Sequence, residues 1–402
     1  MTAWGLAWRT IARSPARSVL AVSGVTVIGA LLFNMLMLSR GLLVSFRDLL
    51  DTAGFDIRVV AGEGSMVHRP PMAGALSLAD TIAHLPGVQR VTLIRTDSAE
   101  AILPDRRGPA VRVSLLGTAE SGAGSVFTLV SGTPLQTTGS PHEPPLIVST
   151  RMASERGIAP GSTLKIRPFV VGAASALPPV TARVVGIGAF TFEAPDELTV
   201  ATTLEGFAAA HGMAADGSAE MVLVSSSDAT AATASAIARL RPDLRVLTND
   251  QVLEQFNQNA FSYFRQISAV LSSMTLAFAF LLIATLLTMS VNQRLGEVAA
   301  LRALGFPRRR IAANLLWESA LLVGIGGTAA LPVGGLLAVG LDRILRQMPG
   351  VPAALHFFVF EPRTVVLLAA LLGVTGAVAA LYPIWLATRL PIAATLRREI
   401  LS

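Results

Sequence analysis

Arg294-Leu295-Gly296-Glu297-Val298-Ala299-Ala300-Leu301-Arg302-Ala303-Leu304-Gly305-Phe306-Pro307-Arg308-Arg309-Arg310-Ile311 lies between two long apolar stretches, and its reading decides how the chain is disposed. Glu297, Leu301 and Leu304 are spaced to share one face of a helix. Gly305 suits the position just past a helix end, and Pro307 suits the first turn of the next helix. The segment therefore predicts a short helix that joins two longer ones. Arg294, Arg302, Arg308, Arg309 and Arg310 stand against the single acid Glu297. An arginine excess between two membrane-length stretches marks the cytoplasmic side of a bilayer.

Outward from this loop, apolar stretches cover about 266–290 and 311–341, and two more cover 19–40 and 364–386. Each can cross a hydrocarbon core of about 30 Å at a rise of about 1.5 Å per residue. The first follows Arg9, Arg13 and Arg17 with no acid among them. A cleaved signal peptide would be shorter and end in small residues, whereas this stretch continues through Phe33, Met35, Leu36 and Met37, so it reads as a retained span. The third is over-long and carries Glu318 and Pro332. Tilt, a kink at the proline, or helix emerging from the bilayer would absorb the excess. Arg389, Arg397 and Arg398 close the chain. Both termini and residues 291–310 are thus expected in the cytoplasm, with 41–265 and 342–363 outside.

Composition agrees. The 402 residues are 52% hydrophobic and 14% charged, and a mean hydropathy of +0.59 excludes an ordinary soluble protein. The net charge of +6 comes almost wholly from arginine, Lys165 being the one lysine. Its placement beside the spans makes it topological and argues against nucleic acid as a partner. The absence of cysteine excludes disulfide and thiolate chemistry.

Within 41–265, Phe55 to Val60 alternates as a strand, Leu76 to Leu85 reads as a helix and Val88 to Arg95 as a second strand. Met221 to Val224, an alanine-rich helix from about Ala229 to Leu240, and Leu244 to Leu247 repeat that order. The repetition predicts two similar halves on one sheet. Between them, Pro145 to Val148, a short helix Thr150 to Arg156, Gly161 to Ile166, and Thr181 to Ile187 predict a β-rich insert at about 119–217. The stretches Ser131 to Pro145 and Gly172 to Pro179 read as loops. The expected class is an α-helical membrane protein of four spans, with a large α/β extracytoplasmic domain between the first and second.

The segment Arg294 to Ile311, continued by Leu316-Trp317-Glu318-Ser319-Ala320 and the glycines Gly324, Gly326 and Gly327, resembles the FtsX-like module of MacB/FtsX-type ABC permeases. The tail Leu381-Tyr382-Pro383 to Arg397 resembles the family's end, departing from it at Thr395, where alanine is usual. Residues 1–18 resemble its cytoplasmic amphipathic helix. The outer region, with Leu146 to Ser149, Gly161 to Leu164 and Val184 to Ile187, looks like a MacB-type periplasmic core. Its size suits MacB-like or lipoprotein-releasing permeases better than the smaller outer domain of plain FtsX.

The resemblance implies a permease in a bacterial inner membrane, paired with a second copy or a related permease and bound to two ABC ATPase subunits. Membrane lipids and a periplasmic adaptor or acceptor protein are further expected partners. ATP-driven closure would be transmitted to the outer domain, to export or extract a lipid, lipoprotein, peptide or hydrophobic compound. The alternatives are a lipoprotein- or lipid-extracting heterodimer and an FtsX-like regulator of a cell-wall hydrolase. Glu297, Leu301, Arg302, Leu304, Gly305 and Phe306 would contact the ATPase. Glu318, Gly324, Gly326 and Gly327 would pack the bundle or a dimer seam, as small residues do between membrane helices.

Lys165 sits in no G-x-x-x-x-G-K-[ST] loop, so ATP and Mg are expected on the partner ATPase, with no cofactor on this chain and no enzyme activity of its own. His68, His84, His142, His211 and His356 lack metal-ligand spacing and read as surface residues. Glu193, Asp196 and Glu197 read as a solvated loop rather than a catalytic pair. Glu318 lies inside a span, where an ionisable group is costly unless paired, so it is expected to face the bundle or reach toward the cytoplasmic arginines.

Overall fold

The computed structural model describes residues 15–62, 70–103, 110–121, 126–135, 143–169, 177–227, 230–258, 260–292, 308–349, 351–352 and 354–389. They fall into two units, a helical one (Met1–Val44, Asn259–Ile344 and His356–Ser402) and an α/β one (Ser45–Gln258 and Leu345–Leu355).

Four long helices build the helical unit: α1 (Pro15–Thr52), α7 (Ala260–Asn292), α8 (Arg308–Leu345) and α9 (Pro362–Arg389). Among the described residues they contain four stretches long and apolar enough to cross a membrane: Ser18–Thr52, Arg265–Met289, Leu316–Leu345 and Pro362–Trp385. Helix α1 runs past Arg40 because Leu42, Leu49 and Leu50 keep an apolar helical period and are buried. The turn beyond it carries Gly54 at φ 71°, a left-handed conformation that glycine adopts without a Cβ penalty. The core of the unit gathers Phe33, Met37, Ile283, Leu287, Leu368 and Leu372. On α7, by contrast, Ile267, Val270, Met274, Phe278 and Leu281 recur at helical spacing and are exposed. A stripe of that size needs hydrocarbon or a partner against it.

The α/β unit holds one ten-stranded sheet: β1 (Ile57–Ala61), β2 (Val88–Ile102), β3 (Val111–Ser121), β4 (Phe127–Gly132), β5 (Pro145–Ser149), β6 (Thr163–Pro168), β7 (Val180–Phe190), β8 (Thr199–Thr203), β9 (Met221–Ser226) and β10 (Leu244–Thr248). Its first four neighbours run β10-β1-β9-β2, all antiparallel. Helices α2 (Ala75–Ala83) and α5 (Thr230–Leu240) connect β1 to β2 and β9 to β10. This is a split β-α-β pair of ferredoxin-like order. Ile82 and Ile237 pack with Ile57, Val59, Val222 and Val224 on one face of these strands. Alternation puts Val60, Leu223 and Leu247 on the other face, where Leu50 of α1 and Val252 of α6 (Asn249–Gln258) cover part of it.

Strand β2 is long because it serves two assemblies. Its first half pairs with β9, and its end, Ala99–Ile102, pairs with β6. The succession β2-β3-β8-β5-β7-β6 then returns to β2 and closes a six-stranded ring. The β-rich region thus recruits β2 and β3, upstream of residue 119. Side chains such as Val113, Leu115, Val148, Leu164 and Val184 fill the ring. Helices α3 (Thr150–Arg156) and α4 (Leu204–Ala210) plug it with Met152 and Phe207. Each starts on a hydroxyl cap: Ser149 Oγ accepts from the Met152 amide at 3.1 Å, and Thr203 Oγ1 from the Gly206 amide at 3.0 Å. Gly117 of β3 lets α4 lie close, since a Cβ there would stand 2.7 Å from the Phe207 Cβ. Across the seam of the ring, Arg167 on β6 donates to Glu100 on β2 at 2.6 Å, and the two are register partners.

Candidate functional site

In the helical unit, polar side chains tie α1 to α8. Thr26 Oγ1 donates to the Gly326 carbonyl at 3.2 Å. Asn34 Nδ2 donates to its own Ala30 carbonyl at 2.9 Å and across to the Gly334 carbonyl at 3.0 Å. Both helices advance by the same number of residues between the two contacts, so they run parallel. Parallel first and third spans are what a four-span chain requires. On the other side of α8, Ser319 Oγ donates to the Gly376 carbonyl of α9 at 3.2 Å. At its far end Asp342 accepts the Phe357 amide at 2.8 Å and lies 3.3 Å from His356 Nδ1. Neither Asn34, Thr26 nor Asp342 stood out in the sequence. The available signal was a polar side chain inside an apolar run, which is costly in a membrane unless a neighbour satisfies it.

The expected packing residues separate in the structure. Glu318 is 2% exposed, inside the unit. Gly326 faces α1, where a Cβ would stand 2.7 Å from Val25. Gly327 is 3.5 Å from Leu372 of α9 by the same measure, and Gly324 has no atom within 4 Å. Gly324 and Gly327 line an apolar groove of about 670 Å³ between α8 and α9, with Trp317 and Val323 on its wall. The proposed ATPase-contacting residues Glu297, Leu301, Arg302, Leu304, Gly305 and Phe306 lie outside the described residues, as do residues 1–14 and 390–402.

In the α/β unit, the described histidines each stand beside an aspartate: His84 by Asp80 at 4.0 Å, and His211 by Asp97 at 3.1 Å. No group of three or more His, Cys, Asp or Glu able to hold a metal occurs among the described residues. Glu193 departs from the solvated-loop reading. It is half-buried and accepts the Thr199 amide at 2.8 Å. Burial raises its carboxyl above the ordinary value, with hydrogen bonds from Ser149 and Thr199 opposing. Asp196 and Glu197 are exposed, as read from the sequence. Arg58 on β1 is the more unusual charge. Desolvation lowers its guanidinium to about 10, against the pull of Asp56.

The structure offers a helical bundle joined by interhelical hydrogen bonds and a separate α/β unit. Residues 269–392 match the FtsX-like permease C-terminal family. Over that stretch, from within the second span through the fourth, the chain is similar to FtsX-like permeases. No curated protein matches it.

Among solved structures, this chain is similar to the periplasmic region of MacB from Actinobacillus actinomycetemcomitans, at 14% identity and a TM-score of 0.38, covering 53% of this chain and 98% of that one. It is also similar to the extracellular domain of the noncanonic ABC-type transporter YknZ from Gram-positive bacteria, at 15% identity and a TM-score of 0.34, covering 48% and 99%. A third likeness is to a domain of a putative permease protein from Porphyromonas gingivalis, at 12% identity and a TM-score of 0.29, covering 48% and 87%.

Proposed function

We propose that this chain is the permease subunit of a MacB/FtsX-type ABC complex, driven by ATP hydrolysed on residues outside this chain. The observation that carries the reading is the FtsX-like segment 269–392, in which the arginine-rich stretch Arg294 to Arg310 joins two membrane-length helices. In this reading Leu301, Leu304 and Phe306 form an apolar knob for a groove on the ATPase, and the flanking arginines hold the loop in the cytoplasm. ATP and Mg act on the ATPase. Two ATPase subunits, a second permease copy or related permease, and a periplasmic adaptor or acceptor complete the complex. The paired spans transmit ATPase closure to the α/β unit, which lies outside the inner membrane and handles a lipid, lipoprotein, peptide or hydrophobic compound.

The test is co-purification in mild detergent with the ATPase encoded nearest to this chain, comparing wild type with Leu301→Asp/Leu304→Asp. Capture by the wild type, lost in a variant that still folds, is the expected result. A folded wild type that retains no ATPase removes the engine and leaves a regulator of a cell-wall hydrolase or a sensor.

A further inference from the structure

The face of the sheet opposite α2 and α5 is not filled. A cavity of about 430 Å³ lies on it, wholly within the α/β unit. Its floor crosses six neighbouring strands, with Leu247 on β10, Arg58 on β1, Leu223 on β9, Ile94 on β2, Leu116 on β3 and Thr199 on β8. Adjacent strands lie about 4.8 Å apart, so five steps make a trough roughly 24 Å long. Phe46 and Leu50 of α1 and Val252 and Phe256 of α6 cover one end, with the Phe46 and Phe256 rings 4.4 Å apart. Phe192, Glu193 and Glu197 border the other end.

The trough is apolar along its length and polar at its ends, and the ends differ in sign. Arg58 lies near the α1/α6 end, where its Nη1 donates to Asn249 Oδ1 at 2.6 Å. No carboxylate pairs with it among the described residues. Asp56, whose charge it feels, is engaged by the Ser226 amide at 2.8 Å. A guanidinium has five N–H donors in a fork that matches carboxylate or phosphate. A half-buried cation whose charged neighbour, Asp56, is itself engaged by Ser226 costs stability that an apolar side chain of similar size would not. Its retention on an otherwise hydrophobic floor is explained by a ligand that supplies the anion.

We propose that this trough binds a single-chain anionic amphiphile, its carboxylate or phosphate on Arg58 and its acyl tail laid across β9, β2 and β3 toward Phe192. Glu193 and Glu197 repel the headgroup from the far end and so fix the direction of binding. At roughly 30 Å³ per heavy atom, the share of a water in the liquid, the volume holds about 14 heavy atoms, the size of dodecanoate. The site stands apart from the ATP-driven reading, because occupancy requires only this chain.

The experiment uses the full chain in lipid nanodiscs, without ATPase, exposed to diazirine-bearing dodecanoate and, separately, to the matching dodecanol and dodecyl-trimethylammonium. Adducts are then mapped by peptide mass spectrometry. Dodecanoate is expected to label peptides containing Leu223, Phe192 or Phe256 at least tenfold more than the ammonium analogue does. Arg58→Met is expected to lower dodecanoate labelling about tenfold while leaving dodecanol labelling intact, which also reports that the variant is folded. Leu223→Trp, which fills the trough, is expected to abolish both. Adducts confined to the spans, equal capture of acid and ammonium, or undiminished dodecanoate labelling in Arg58→Met would each overturn the proposal.

Discussion

Placing valine at Gly326 separates bundle packing from any other role of the glycine cluster. A Cβ at Gly326 would stand 2.7 Å from Val25 Cβ and 3.2 Å from the Val22 carbonyl oxygen. Carbon atoms in ordinary contact lie about 3.5–4.0 Å apart, so α1 and α8 must part by about 1 Å. That shift carries the Thr26 to Gly326 hydrogen bond, 3.2 Å in the structure, out of range. Overpacking costs about 1–3 kcal/mol, and an interhelical hydrogen bond in a membrane contributes about 0.6 kcal/mol. The sum is roughly 2–4 kcal/mol, expected as a fall of about 5–10 °C in the melting midpoint in detergent. Gly324→Val is the control: nothing lies within 4 Å of that position, and an unencumbered substitution should cost no more than about 0.5 kcal/mol. If Gly324→Val were as damaging as Gly326→Val, the seam that matters would lie on the open α8/α9 groove, and the bundle account of Gly326 would fail.

Two further outcomes concern the α/β unit. Phe207, 2% exposed in the ring core and under the Arg95 guanidinium at 5.2 Å, should cost about 3–5 kcal/mol when cut to alanine, read as early loss of the unit's melting transition; an unchanged transition would mean the ring does not depend on its α4 plug. For Glu193, whose folded carboxyl is raised above an ordinary 4.5 by burial, the native state binds more protons than the unfolded one in the interval above 4.5, so stability falls as pH rises through it. Glu193→Gln removes that contribution, so the wild type should lose ground to the variant from acid toward neutral pH in paired melts; a wild type that gains ground would refute the burial argument.

Much of the architecture was legible because it rests on local pattern. The strand Phe55 to Val60, the alanine-rich helix before Leu240 and the capped helix Thr150 to Arg156 each carry a period or a cap that the structure uses. The strands β3, β4 and β8 and the helices α4 and α6 were not read. All five residues of β8, Thr199–Thr203, are buried, so it shows no alternation between faces. Closure of the ring depends on β6 meeting the end of β2, more than 60 residues away in sequence, which no local signal announces. The same holds for the site residues. Gly326 belongs to a visible cluster, but its separation from Gly324 depends on which helix lies opposite. Arg58 reads as the polar position of an alternating strand, and only the partly covered sheet face makes it a half-buried, desolvated cation.

The most direct test of the central claim uses the absence of cysteine, which lets two introduced thiols be labelled without background. Ser154→Cys in the α/β unit and Arg363→Cys in the helical unit, both at exposed positions, carry spin labels in the complex with its ATPase in nanodiscs. The distance distribution is recorded with ADP and with a non-hydrolysable ATP analogue and Mg. A shift of the distribution with the ATP analogue, absent in Leu301→Asp/Leu304→Asp, is the predicted result. Identical distributions in an ATPase-bound, ATP-loaded complex would contradict transmission from the nucleotide to the α/β unit.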